Sequence, residues 1–214
     1  MLKAVKSLLS ASLVYGLGTI ASKFIGFFLL PVFTSYLMPA EYGLFETFNV
    51  LFFLLTTIGS LGMDTAMIRF YYDSGEPRYR TLVVSASLFL ALSAGVILAG
   101  FGLAFSPAIN AMLFDGVNHI KILHVTMFAV VVSVVNTVQL ALFQAKRQPG
   151  RYSALTFLRF TMMYGLSVFF LIRGDSVYGL MIAQLVAYSV TLAFGFFFAR
   201  NDFRLAISPR ISKE

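Results

Sequence analysis

Six long apolar runs separated by short connections constrain this chain of 214 residues more than any other feature. Each run reaches the roughly 20 residues that a helix needs to cross the hydrocarbon core of a membrane. The runs cover residues 10–37, 44–70, 81–105, 120–145, 152–172 and 177–199. Membrane β-strands would instead alternate apolar and polar residues over about 10 positions. The pattern therefore predicts an all-α integral membrane protein with six transmembrane helices.

Composition and loop length agree with this fold class. Only 12% of the residues are charged and 59% are hydrophobic, whereas soluble domains carry about 25% charged residues. Because the connections are short, consecutive helices are expected to pack as antiparallel neighbours in one up-down bundle. The sequence thus predicts a single six-helix lobe over residues 1–199, followed by a polar tail over residues 200–214.

The basic residues are distributed unevenly between the two sides of the predicted bundle. Twelve of the 16 lie at the N-terminus, in the 69–80 and 146–151 connections and in the tail, and only Lys121 and Arg173 lie on the other side. Loops rich in Lys and Arg stay in the cytoplasm. The formal charge of +7 therefore indicates orientation, with both termini cytoplasmic, and nucleic-acid binding is not expected.

Charged and amide side chains inside the apolar runs are the candidate functional residues, because a charge in hydrocarbon costs about 2.5 to 3.5 kcal/mol. At a rise of 1.5 Å per residue, one layer roughly 8 to 14 Å from the basic side holds four of them. These four are Asp64, Asn136, Gln139 and Arg159. Lys23 lies deeper, roughly 20 Å from the start of its run. Three of the predicted helices thus place polar groups in one layer.

Two interpretations of this layer remain open. Asp64 and Arg159 could form a buried ion pair that only fixes helix packing. Alternatively, the layer lines a water-filled cavity whose cations hold an anionic substrate. Lys23 favours the cavity, because no acidic residue matches its depth and an unpaired lysine in apolar surroundings would lose its proton.

Three further residues are expected to have structural or gating roles. Pro31 lies inside the first run, where it removes one helical hydrogen bond and is expected to bend the helix. Glu46 lies near the outer end of the second run. Arg69 lies at the inner end of that run, where its long side chain can reach the membrane surface.

The sequence offers no support for catalysis, a metal site or a cofactor. It contains no Cys, which excludes thiol chemistry and cysteine-ligated metals. His119 and His124 are five residues apart, which is not the i, i+4 spacing of a helical metal pair. No glycine-rich phosphate loop is present either. An enzyme is therefore not expected.

Three stretches resemble a known family. Residues 15–45, YGLGTIASKFIGFFLLPVFTSYLMPAEYGLF, are similar to the opening of polysaccharide-biosynthesis flippases of the O-antigen exporter type, in which a glycine-bearing first helix leads into a Pro and an EYG turn. Residues 59–73, GSLGMDTAMIRFYYD, resemble the end of the second helix in that family. The tail resembles the cytoplasmic linker that precedes a seventh helix. The resemblance covers all six predicted helices in order.

This resemblance implies a translocator of the multidrug/oligosaccharidyl-lipid/polysaccharide superfamily in the bacterial inner membrane. Such proteins have two lobes around a central cavity, and the flippases move an oligosaccharide linked to undecaprenyl diphosphate across the bilayer. Lys23 and Arg159 would then meet the diphosphate or acidic sugars. Only one lobe is present, so an N-terminal fragment lacking its C-terminal lobe is expected, with a half-transporter that pairs with a second copy as the alternative. A cation-coupled multidrug exporter and a non-transporting scaffold subunit remain alternative functions.

Overall fold

The computed structural model of the chain describes residues 24, 27–114 and 117–207, with side-chain surroundings as far as residue 199. These residues form helices joined by short connections. The helices are α1 Phe27–Tyr36, α2 Pro39–Ser60, α3 Met63–Tyr71, α4 Pro77–Ala104, α5 Ser106–Phe114, α6 Ile120–Ala145, α7 Pro149–Arg173 and α8 Ser176–Ile207. We call the end with the 72–76 and 146–148 connections the basic end. The end with the 37–38 and 174–175 connections is called the opposite end.

Five helical segments in the described part of the chain are long and apolar enough to cross a membrane, with α2 and α3 counted together as one. The described part of the chain is thus all-helical, with the long apolar helices of a multi-pass membrane protein. Most of the first apolar run, 10–37, lies outside the described residues, and its end forms the short helix α1. A sixth span in that run stays a prediction.

The second span begins earlier than the hydropathy pattern predicts, at Pro39 rather than residue 44. Pro39 occupies the first helical turn, where its missing N–H costs nothing. The Glu41 side chain accepts a 2.9 Å hydrogen bond from the backbone N–H of Met38, which satisfies a group that a helix start leaves free. The loop predicted around residues 38–43 is therefore mostly the first turn of α2.

The second span is also interrupted, which corrects the prediction of one continuous helix over 44–70. Helix α2 ends at Ser60, and Leu61 and Gly62 take left-handed backbone angles, with φ of 47° and 68°. Helix α3 then begins at Met63. The length of the apolar run does not reveal this break, because α2 and α3 together still form one segment that is apolar enough to cross a membrane. Glycine tolerates this conformation at Gly62 without a steric penalty.

Helix α6 lies at the centre of the bundle. It packs against α4, α8, α2 and α3, whereas the main partner of α7 is α8. The prediction that consecutive helices are nearest neighbours is therefore wrong for α6 and α7, which touch only slightly. Two apolar clusters surround α6, one around Phe143 toward the basic end and one around Leu123 toward the opposite end.

Small residues explain why α6 takes the central position. A Cβ added at Gly95 of α4 would lie 3.2 Å from Cα of Val131, and one added at Gly59 of α2 would lie 2.8 Å from Cγ2 of Val134. Neighbouring helices thus approach α6 almost at backbone distance, as small residues permit in membrane proteins. Ala91 and Ala99 are also buried and continue the stripe of α4 to either side of Gly95.

Helix α5 occupies part of the connection that the sequence predicted between the third and fourth spans. It runs beside α6 at the opposite end. Its Asn110 donates a 2.8 Å hydrogen bond to the Val117 carbonyl and accepts one of 2.8 Å from the His119 backbone N–H. One buried amide therefore fixes the approach of the chain to α6.

Candidate functional site

Arg159 lies in the middle of α7, half-buried against α6 and α8. Its Nη1 donates a 3.1 Å hydrogen bond to Oδ1 of Asn136 on α6. The guanidinium carbon lies 4.9 Å from the ring centroid of Tyr188 on α8 and 5.2 Å from that of Phe160. An amide and two aromatic faces therefore hold the cation in place, as cation–π geometry allows.

No carboxylate neutralises Arg159 within the part of the chain that the structure describes. No described acidic side chain forms an ion pair with it at 4.0 Å or less. Its contacts with Asn136 and Tyr188 supply an oxygen and a π-face but no negative charge. The guanidinium can therefore still bind an anion.

Asn136 and Gln139 lie one turn apart on α6 and are both buried. Asn136 is 0% exposed and Gln139 is 1% exposed. Gln139 Nε2 donates a 3.0 Å hydrogen bond to the Leu192 carbonyl on α8. Asn136 thus supports Arg159, whereas Gln139 contacts the backbone of α8. The second polar atom of each amide, Asn136 Nδ2 and Gln139 Oε1, is buried without a hydrogen-bond partner.

Asp64 and Arg69 both lie on α3, apart from this cluster. Asp64 is half-buried in the first turn of α3, where a negative charge is favoured by the helix dipole. Arg69 is exposed in the last turn, where a positive charge is favoured. Among the described residues Asp64 forms no ion pair with Arg159. The interpretation in which these two residues neutralise each other is therefore not what the structure shows.

A cleft of about 270 Å³ opens between α2 and α7, which scarcely touch each other, with α1 and α8 as its other walls. We call it the α2–α7 cleft. Its apolar walls include Leu30, Phe33, Phe45 and Leu180. Its polar lining residues are Tyr42, Glu46, Asn49, Tyr164, Ser167 and Gln184. The cleft lies in the half of the bundle toward the opposite end.

We call Arg159 and its contacts Asn136, Phe160 and Tyr188 the Arg159 cluster. It lies next to the α2–α7 cleft, on the side toward the basic end. On α8, Tyr188 comes one turn after Gln184, and on α7, Arg159 comes about one turn before the cleft residue Tyr164. The Tyr188 ring also lies 5.5 Å from the ring of Phe52, which follows Asn49 on α2. The guanidinium and the cleft are therefore neighbours along α7 and α8.

The remaining predicted residues have separate positions. Lys23 lies outside the described residues, so its role stays a prediction. Pro31 lies within α1, which continues helically to Tyr36. Glu46 is exposed on α2 and lines the α2–α7 cleft. Of the candidates predicted from the sequence, the structure thus brings Arg159 and Asn136 into direct contact and places Glu46 in a separate cleft.

The sequence prediction missed Gln184 and Tyr164 as site residues. Their spacing carried a usable signal, since Leu180, Gln184 and Tyr188 recur every four residues and define one face of α8. Among the described residues no group of three or more His, Asp or Glu side chains could hold a metal ion. His124 instead lies 3.2 Å from the Ser106 hydroxyl on α5.

Comparison with known proteins places these features in context. A family model described as "Polysaccharide biosynthesis protein" matches residues 8–213. No curated protein sequence gives a significant match. A solved structure of a multidrug resistance MATE family transporter of the MOP superfamily, in an outward-facing conformation, is similar with a TM-score of 0.69 at 19% identity. The similarity covers 99% of this chain and 48% of that one, so the chain spans about half the length of that transporter.

Proposed function

We propose, since this chain belongs to the polysaccharide biosynthesis protein family, that it acts in moving a lipid-linked oligosaccharide across the bacterial inner membrane. The family and the fold together support a membrane transporter of the MOP superfamily. The finer proposal is a flippase for an oligosaccharide carried on undecaprenyl diphosphate, used in building surface polysaccharides such as O-antigen. The basic end would then face the cytoplasm, with both chain termini on that side.

The carrying observation is Arg159 in a membrane-spanning helix without a carboxylate partner among the described residues. A charge at this depth is expensive and usually marks a substrate path. A guanidinium is also suited to a diphosphate, because its planar fork donates two parallel hydrogen bonds to phosphate oxygens. Asn136 and Tyr188 hold the group without neutralising it, which keeps its positive field available to the diphosphate.

A complete transport cavity requires more than this lobe. The chain spans 48% of the similar MATE transporter, and superfamily cavities form between two repeats. We propose that a second lobe, supplied by a longer chain or by a second copy, closes the cavity opposite this one. Lys23, outside the described residues, would add a second cation to the proposed cavity.

One observation favours a second candidate, a cation-coupled exporter of small molecules. Glu46 lines the α2–α7 cleft together with the aromatic side chains Phe33, Tyr42 and Phe45. A carboxylate beside aromatic faces can bind an organic cation. This candidate predicts that loss of the gene lowers resistance to cationic drugs and leaves surface polysaccharide unchanged.

The test replaces Arg159 in the full-length protein. A strain lacking the gene receives the wild-type gene, Arg159→Ala or the control Arg173→Ala, which removes an exposed arginine from the last turn of the same helix. We expect Arg159→Ala to abolish surface polysaccharide at normal membrane protein level, and Arg173→Ala to preserve it. Normal polysaccharide with Arg159→Ala would exclude a role for this cation in export and favour a scaffold subunit.

A further inference from the structure

We infer that the α2–α7 cleft is a binding site for one uncharged sugar ring, an inference that rests on the proposed export function and names which part of its substrate the cleft contacts. The site is distinct from Arg159, which would bind the diphosphate. Three observations carry this inference: a buried amide without a partner, aromatic walls, and the size and charge of the cleft.

The first observation is Gln184 on α8. Its side chain is only 7% exposed and lines the cleft. It forms no side-chain hydrogen bond to any residue that the structure describes. A buried amide of this kind needs partners for its two N–H groups and its oxygen. The amide of Gln184 is therefore available to a cleft ligand that both accepts and donates hydrogen bonds, as a sugar hydroxyl does.

The second observation is the combination of aromatic and polar groups around the same space. The Phe33 ring lies 6.4 Å from Tyr164 and 5.9 Å from Phe45, measured between ring centroids, so α1 contributes an aromatic face to the cleft wall. Asn49 and Ser167 stand on the flanking helices. A sugar ring has an apolar C–H face and a rim of hydroxyls, which matches aromatic walls edged by amides and hydroxyls.

The third observation limits the ligand. At about 270 Å³ the cleft is slightly smaller than the usual range of roughly 300 to 1,000 Å³ for small-molecule pockets. It therefore has room for one sugar ring inside the cleft. Among the described residues, Glu46 is the only charged side chain that lines it. Because an acidic sugar would be repelled by this carboxylate, the cleft selects a neutral sugar.

The chain has no Trp, so a single introduced Trp can report binding in the cleft. Tyr164→Trp places the reporter on the cleft wall, and Phe157→Trp places a control on the exposed side of the same helix. The full chain in detergent micelles is titrated with methyl glucoside, methyl N-acetylglucosaminide and methyl glucuronide. We expect a saturable fluorescence change for the two neutral sugars with Tyr164→Trp and none with Phe157→Trp.

A second substitution tests the role of the buried amide. Adding Gln184→Ala to Tyr164→Trp should weaken neutral-sugar binding about tenfold, because hydrogen bonds to the sugar are lost. Gln144→Ala, which removes an exposed glutamine from α6, should leave the Kd unchanged. Glu46→Gln should let the glucuronide bind. Saturation-transfer NMR on the unsubstituted chain gives a second readout if Tyr164→Trp disturbs folding.

The inference is overturned if neither readout detects neutral-sugar binding, if the Kd is the same with Gln184→Ala, or if the glucuronide binds more tightly than the neutral sugars. The export assay separates it from the proposed function. If neutral sugars bind in the cleft but surface polysaccharide is exported normally without the protein, only the proposed export function is refuted. If export requires Arg159 but no sugar binds in the cleft, only the inference about the cleft is refuted.

Discussion

Ser176 donates a 2.6 Å hydrogen bond to Oε1 of Glu41, although the two residues are 135 positions apart in the sequence. The other carboxylate oxygen accepts the backbone N–H of Met38 at 2.9 Å. One side chain therefore caps α2 and ties it to the first turn of α8 at the opposite end of the bundle. Glu41 belongs to the EYG stretch that carries the family resemblance, and the structure assigns it this joining role.

Replacing Glu41 should destabilise the bundle measurably. Glu41→Ala removes a helix cap and a charge-assisted hydrogen bond, so we expect a loss of about 2 kcal/mol and a lower melting temperature. Ser176→Ala should cost less, because it leaves the cap of α2 intact. Thermal unfolding in detergent, followed by size-exclusion chromatography, measures both. Glu76→Ala is the control, since Glu76 precedes α4 without a side-chain cap bond. If Glu41→Ala melts at the same temperature as Glu76→Ala, the joining role is refuted.

The close contact between α4 and α6 predicts a contrast between two glycines of the same helix. Gly95→Leu places a side chain against the backbone of Val131 and should cost about 1 to 3 kcal/mol through overpacking. Gly100→Leu should have little effect, because nothing lies within 4 Å of a Cβ added there. The yield of monodisperse protein and its melting temperature distinguish the two. Equal behaviour of the variants would show that α4 does not depend on backbone approach to α6.

The break between α2 and α3 predicts a contrast between two other glycines. Gly62 has a φ of 68° and open space around it, whereas Gly43 lies in helical backbone with similar space. Gly62→Ala should destabilise by about 1 kcal/mol through backbone strain. Gly43→Ala should be neutral or stabilising by up to about 1 kcal/mol, because alanine favours a helix. A Gly62→Ala protein as stable as the wild type would mean that α2 and α3 form one continuous helix.

An engineered counter-ion tests whether the free positive charge of Arg159 matters for export. Asn136→Asp places a carboxylate 3.1 Å from the guanidinium position that now meets an amide. The resulting ion pair should preserve folding and neutralise the field that is proposed to attract the diphosphate. We expect normal protein level with export reduced at least tenfold. Asn136→Gln is the control without charge, and unimpaired export in the Asp variant would show that the substrate does not need this cation.

The sequence predicted which polar residues lie at similar depth, but not which of their side chains touch each other. The rise per residue of a helix gives the depth of a side chain, and this correctly placed Arg159 and Asn136 at one level. Depth does not give rotation about the helix axis or the order of neighbours. For that reason Asp64, at a similar depth, proved separate from Arg159, and Gln139 turned toward the backbone of α8.

The same distinction applies to the fold. Helix α6 has the bounds of the fourth apolar run because polar residues mark both of its ends. The break at Leu61 and Gly62 lies inside a single candidate span, Pro39–Tyr71, so the length of the apolar run does not reveal it. Four helices together form the cleft. In the sequence, its buried amide Gln184 is an isolated polar residue, because its neighbours in the cleft belong to other helices.

The central position of α6 has a consequence for how the protein is made. Helix α6 carries two buried amides, Asn136 and Gln139, and their partners Arg159 and the Leu192 carbonyl belong to α7 and α8. When α6 enters the membrane, α7 and α8 have not yet been inserted beside it, so both amides initially face lipid or the insertion machinery. Biogenesis therefore includes an interval in which α6, the future core of the lobe, carries amide groups without hydrogen-bond partners. This interval ends only when α8 packs against α6.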